Sequence, residues 1–168
     1  MDLKAHARFA LGRSRRITEG VIAALKTEDD WFYQAHPQAN FPLWIVGHLG
    51  LADNAFLSRF RPQLAKKPDG WDELFWFGSQ PQSERTAYPS SADVMAYLRE
   101  RRETLLKVLD EITDDELNAP APAAGERSPI AGAPCFGHIF LFAAVHEGMH
   151  AGQLTVAHRG LGHPPLLR

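Results

Sequence analysis

Cysteine is nearly absent: Cys135 stands alone among 168 residues. One thiol permits no internal disulfide and suits a protein of the reducing cytoplasm. No strong charge of either sign is present, with 18 Lys+Arg against 20 Asp+Glu and a formal net charge of −2. That balance argues against a nucleic-acid partner and against an anionic membrane surface. No apolar stretch reaches the roughly 18 uncharged residues of a membrane span. Asp2, Lys4, His6 and Arg8 interrupt the opening, where a signal segment would be apolar. Strand-type alternation and internal repeats are missing too. What remains is a globular composition, 45% hydrophobic and 23% charged, at a length that suits one domain spanning 1–168 and is short for two.

The apolar positions recur at helical spacing in four long segments. Leu3, Ala7, Ala10, Ser14, Ile17, Val21 and Ala24 step by four and three, which predicts a first helix from about Leu3 to Lys26 with an inner stripe of the bundle type. Arg13, Arg15, Arg16 and Glu19 fall mostly off that stripe. Thr27 to Phe41 reads as a connection. Asn40 or Phe41 then caps a second helix with Pro42 in its first turn, running to about Phe60 before Arg61-Pro62. Ser90 or Ser91 with Asp93 opens a third, to about Ile112, striped by Val94, Leu98, Leu105, Val108 and Ile112. Thr113 to Glu116 is a capping-box start for one short helical turn. Pro134 opens the last long helix, which ends near Arg159-Gly160. Two long connections, Pro62 to Pro89 and Ala119 to Pro134, separate these helices. The prediction is an all-α, antiparallel four-helix bundle with long connections, not necessarily in up-down-up-down order.

The last helix carries the chemistry. His146-Glu147-Gly148-Met149-His150-Ala151-Gly152-Gln153 sits in an apolar run without interior proline. At 3.6 residues per turn, His146 and His150 stack on one face and Gln153 continues the same stripe. Two imidazoles aimed into an apolar interior need partners, and one divalent ion satisfies both. His48 is the natural third ligand, inward on the second helix between apolar neighbours. Three neutral imidazoles leave coordination positions open, as a catalytic site does. Nitrogen ligation suits Zn, Ni, Fe, Co or Cu without choosing among them. Against this stands the plain reading that each is a satisfied core histidine, which is harder to hold for an i, i+4 pair with a third inward histidine.

His146-Glu147-x-x-His150 also matches the zincin pattern. The extended form wants histidine and glycine where this chain has Val156 and Gln153, and no Asp or Glu follows Glu147. The protease reading is therefore poor, and Glu147 is left orienting a metal-bound water or, in preference, in a salt bridge or facing solvent. Arg101, in line with the inner stripe of the third helix, is a candidate substrate anchor or a paired core arginine. The aromatics from Trp71 to Phe77 either pin the first long connection or wall a pocket, with Trp76 and the inward Trp44 as pocket candidates. His138 and His158 lie about 12 Å along the axis from the pair, too far to share one ion. Cys135 begins the last helix, where a thiol pKa is lowered or a small core residue sits.

Trp44-Ile-Val-Gly-His48-Leu, Phe77-Gly-Ser-Gln80, Tyr88-Pro-Ser, Asp114-Asp-Glu-Leu117 and His146-Glu-Gly-Met-His150-Ala-Gly-Gln153 occur in that order. Together they resemble the DinB-like superfamily of metalloenzymes over nearly the whole chain. The resemblance implies a four-helix bundle, often homodimeric, with metal ligands at His48, His146 and His150. An additional family histidine one turn before the pair is Phe142 here. Characterised relatives include transferases and isomerases that use low-molecular-weight thiols.

The expected function is that of a divalent-metal-dependent enzyme on a small-molecule substrate, using Zn, Ni or Fe. It transfers to or from a low-molecular-weight thiol, or performs metal-assisted hydrolysis. Gln153 and Glu147 are expected to support the ligands from behind. No residue is assigned as catalytic. The alternatives are a non-catalytic metal-stabilised bundle acting through dimerisation or partner binding, and sequestration of a small toxic compound in the same pocket.

Overall fold

Seven α-helices form among the described residues, 2–82, 84–121 and 130–166, of the computed structural model. They are α1 Leu3–Ile22, α2 Glu28–Trp31, α3 Pro42–Phe60, α4 Trp71–Phe75, α5 Ser91–Glu111, α6 Asp114–Asn118 and α7 Phe136–Gly160. The long ones are α1, α3, α5 and α7, as the periodicity predicts. Their starts follow local chemistry. Asp2 accepts from the Ala5 amide at 3.1 Å, Pro42 takes the first turn of α3, and Ser90 caps α5 through the Asp93 amide.

The first helix stops a turn short of the expected Lys26, for a visible reason. Thr27 and Asp30 form a capping box, and the Asp30 carboxylate accepts from the Lys26 and Thr27 amides at 2.6 and 2.9 Å. A second helix start thus competes for the backbone that would have continued α1.

Side-chain contacts give the direction of each helix. Leu3 packs on Gly137 and Ser14 reaches Glu147, so α1 and α7 run the same way. Gly50 lies under Tyr97 and Asp53 pairs with Arg102, so α3 and α5 do too. His48 meets His150 while Phe60 stacks on Phe140, setting α3 against α7. Arg102 donates to the Leu11 carbonyl and Arg15 to that of Leu98, setting α1 against α5. The order is up, down, down, up, which requires a long connection between the like-directed α3 and α5. The second connection closes on itself where Pro120 and Cys135 bridge; its middle, 122–129, lies outside the described residues.

The apolar core divides in two. One cluster gathers Val21, Leu43 to Leu51, Phe75, Leu98 and Leu154. The other gathers Leu11, Phe56, Leu57, Phe60, Leu105, Val108, Ile112, Ile139 and Phe140. On every long helix the residue between the two is polar and buried: Arg15, Asp53, Arg102 and Glu147. Arg102 donates to Asp53 at 2.8 and 2.9 Å and pairs with Glu147 at 2.6 Å. Arg15 donates to Glu147 at 2.7 Å and to Asp53 at 3.2 Å. Two cations and two anions cancel within this layer, the condition under which buried charge is tolerated. Burial works against the Arg102 charge, but Asp53 and Glu147 outweigh it and raise its pKa.

Here the expectation for α1 needs correcting. Arg15 belongs to the inner face, because its guanidinium has two buried carboxylates to meet. Leu11 and Thr18 are buried there, where Ala10 and Ile17 were expected.

Candidate metal centre

α3 is buried along almost its whole length, and α7 crosses it, which brings His48 against the His146/His150 pair. One ring nitrogen from each of the three lies within 4.8 Å of the other two. Nε2 of His48 and Nε2 of His146 are 3.3 Å apart. Two nitrogens at about 2.0–2.1 Å from a shared zinc stand about 3.4 Å apart across a tetrahedral angle. The donor set fits a transition-metal ion.

The outer nitrogens strengthen that fit. His48 Nδ1 is 2.9 Å from the Phe75 carbonyl, which can only accept, so this nitrogen carries the proton. A neutral imidazole then leaves Nε2 as a lone pair facing the other histidines. His150 Nδ1 sits 2.9 Å from the Gln153 side-chain oxygen, with the same consequence. Hydrogen bonds of this kind orient metal-ligating histidines and make them more basic. Burial, then the nearby His150, holds the His48 pKa down at about 4. Burial, His150 and His48 hold His146 at about 3. Burial lowers His150 as well. All three are neutral near pH 7, the state in which imidazole binds metal.

A cavity of about 720 Å³ opens onto the three histidines. Trp44 and Trp76 both line it. Trp44 lies flat on His48, with ring centroids 4.9 Å apart at 8°, and its indole N–H donates to Ser79 Oγ at 2.9 Å. Ser79 in turn donates to the Leu74 carbonyl. That chain pins Phe77-Gly78-Ser79-Gln80 as a rim of the cavity. The aromatic connection therefore divides between both expected roles. Trp71 and Phe75 are buried in the core, whereas Trp76 and Phe77 face the cavity, at 39% and 87% exposure.

Two candidates are placed elsewhere. Arg101 is only 1% exposed and does not line the cavity. It pairs with Glu100 and donates to Asn54 at 3.2 Å and to the Leu64 carbonyl at 2.8 Å, anchoring the chain after α3. A buried guanidinium with four of its five N–H groups already engaged, away from the cavity, is a structural anchor. Glu147, expected behind the ligands, is fully buried on another face of α7. The one-residue offset of about 100° from His146 turns it into the charged layer, where Ser14, Arg15 and Arg102 claim it.

Other histidines stay apart from the three. His138 Nδ1 lies 3.0 Å from the Cys135 thiol, and His158 rests near His163 with centroids 4.7 Å apart. Asn40, Ser79 and Arg59 line the cavity and escaped the sequence reading. Arg59 was accessible to it, since His48, Ala52, Ala55 and Arg59 follow one face of α3. Asn40 and Ser79 sit in connections, where no periodicity gives direction.

A family model described as the DinB superfamily matches residues 10–154, a span that contains all three histidines and Gln153. No curated protein matches the chain.

Proposed function

The chain belongs to the DinB superfamily, and we propose that it is a divalent-metal-dependent enzyme that binds its ion through His48, His146 and His150. The convergence of three neutral imidazoles on one spot in a cavity wall carries this reading. A transition-metal ion such as Zn, Ni or Fe supplies a Lewis acid there, polarising a substrate oxygen or making a thiol or water more acidic. The favoured reaction is transfer to or from a low-molecular-weight thiol, with hydrolysis of a small molecule next.

The chain's own residues set the conditions for that chemistry. Phe75 and Gln153 fix the proton on Nδ1 of His48 and His150, so Nε2 faces the site. Trp44 shields one face of His48, and Phe56 and Phe142 flank His146, lowering the local dielectric. Three ligands and an adjoining cavity favour a reactive centre over a closed structural one, and among the described residues no fourth His, Cys, Asp or Glu joins the cluster.

The test is metal content of untagged protein, wild type beside His48→Ala. About one equivalent of metal in the wild type, lost in the variant with helicity retained, is expected. Equal metal in both, or none in either after incubation with several divalent ions, overturns the reading.

A homodimer in the cytoplasm is part of the same proposal. Val145, Met149 and Val156 are 59%, 56% and 58% exposed on one stripe of α7, an apolar face that a second copy would cover. Sedimentation should give twice the chain mass, and Val156→Lys should halve it. Among the described residues no helix is long and apolar enough to cross a membrane.

A further inference from the structure

The cavity has polar groups at its two ends and an apolar middle. At one end stand the three histidines with Gln153 and Ser79; at the other stands Arg59, in the last turn of α3. Between them lie Ala52, Ala55, Phe56 and Phe142. Arg59 is the one charged side chain among the described lining residues, and no Asp or Glu is among them. Its guanidinium makes no ion pair or hydrogen bond among the described residues. Two positions further on, Arg61 is already held by Glu116 at 2.8 Å. Among the described lining residues, the one formal charge is therefore positive.

We propose that Arg59 binds the carboxylate of an elongated small-molecule substrate, whose apolar or aromatic body fills the cavity and whose far end meets the histidines. This takes the cavity as the substrate site, as the proposed function does, but does not depend on the metal. A guanidinium presents a planar pair of donors that a carboxylate matches in two-point fashion. Among the described lining residues no second cation stands beside it, which suits one negative charge better than a phosphate dianion. The apolar walls between the ends strengthen that attraction and exclude polar substitution along the body. From His48 to Arg59 is about 16 Å along the helix. His48 is buried at one end and Arg59 is exposed at the other, so the span left for the ligand is on the order of 10 Å. The small side chains of Ala52 and Ala55 leave room for the body, opposite the rings of Phe56 and Phe142.

The probes are 6-phenylhexanoate and its uncharged isostere 6-phenylhexanamide, titrated into the metal-free full-length chain at pH 7. Fluorescence of Trp44 and Trp76, which line the cavity, reports occupancy; buried Trp31 and Trp71 supply a constant background. The carboxylate should bind about tenfold tighter than the amide, the ratio one charge-assisted contact produces. In Arg59→Ala the two should bind within about twofold of each other, with the amide unchanged, while Arg59→Lys keeps part of the preference. Equal affinities in the wild type, no fluorescence change with either probe, or a preference that survives Arg59→Ala overturns the proposal. Because metal is absent throughout, failure of the three-histidine reading shows instead in the metal content of His48→Ala, and the two results are separable.

Discussion

The side-chain oxygen of Gln153 lies 2.9 Å from Nδ1 of His150, one turn along α7. A histidine three residues from its own orienting group is held in register by the helix itself, without help from a neighbouring segment. Gln153→Ala should lower metal affinity about 10- to 100-fold, the usual loss when such a partner is removed. Competition with a chromophoric chelator measures it. Gln153→Glu, which keeps an acceptor, should retain most of the affinity. Wild-type affinity in Gln153→Ala would detach this residue from the site.

The histidines also set a pH dependence. His48 and His146 are depressed from 6.5 to about 4 and about 3, with burial the first cause in each. Between those values and 6.5 the unfolded chain binds protons that the folded chain refuses, so stability rises with pH across that window. Metal-free protein should therefore lose stability progressively as pH falls from about 6.5 toward 4. Urea midpoints measured from pH 4 to 8 should show this slope, flattened in a His48→Gln/His146→Gln double variant. Parallel profiles for the two proteins would show that these imidazoles are not held neutral by the fold.

Glu147 separates structure from catalysis. Its carboxylate meets Arg15 at 2.7 Å and Arg102 at 2.6 Å in a layer closed to solvent. Glu147→Ala leaves buried arginine charge uncompensated and should destabilise the fold by about 3–5 kcal/mol, read by chemical denaturation. Were Glu147 a base at the metal centre, the same substitution would abolish turnover and leave stability near wild type.

The site was more legible in the sequence than the layer behind it. His48, His146 and His150 announce themselves because imidazoles on apolar faces are unusual and helical spacing fixes their direction. Trp44 and Gln153 follow from the same register. Arg15, and the partners of the salt bridge read for Glu147, were hidden for the opposite reason: a charged side chain reads as solvent-facing until its partners, 38 to 132 residues away, are brought beside it. Arg101 lies on the inner stripe, as read, yet the stripe could not say that Asn54 and Leu64 would claim its donors. The directions of the helices depend on the connections, whose lengths are visible and whose paths are not.

Phe75 joins α4 to the site in two ways. Its carbonyl accepts from His48 Nδ1 at 2.9 Å, and its ring covers Gly47, one residue earlier on α3. A Cβ at Gly47 would stand 2.4 Å from the Phe75 ring, with two further ring atoms within 2.7 Å. Phe75 is itself fully buried, so the ring cannot swing aside without displacing the core around it. Gly47→Ala should cost about 1–3 kcal/mol as overpacking, against the small gain expected of alanine in an open helical position. Gly12→Ala in α1, where nothing lies within 4 Å, is the matched control and should be neutral or stabilising. If α4 yields to the new methyl group, the Phe75 carbonyl moves with it and His48 loses the acceptor that fixes its tautomer. Metal affinity should then fall by about tenfold in Gly47→Ala and not in Gly12→Ala, measured by the same chelator competition. A Gly47→Ala protein that melted with the wild type and held metal as tightly would mean that neither the ring contact nor the carbonyl constrains His48.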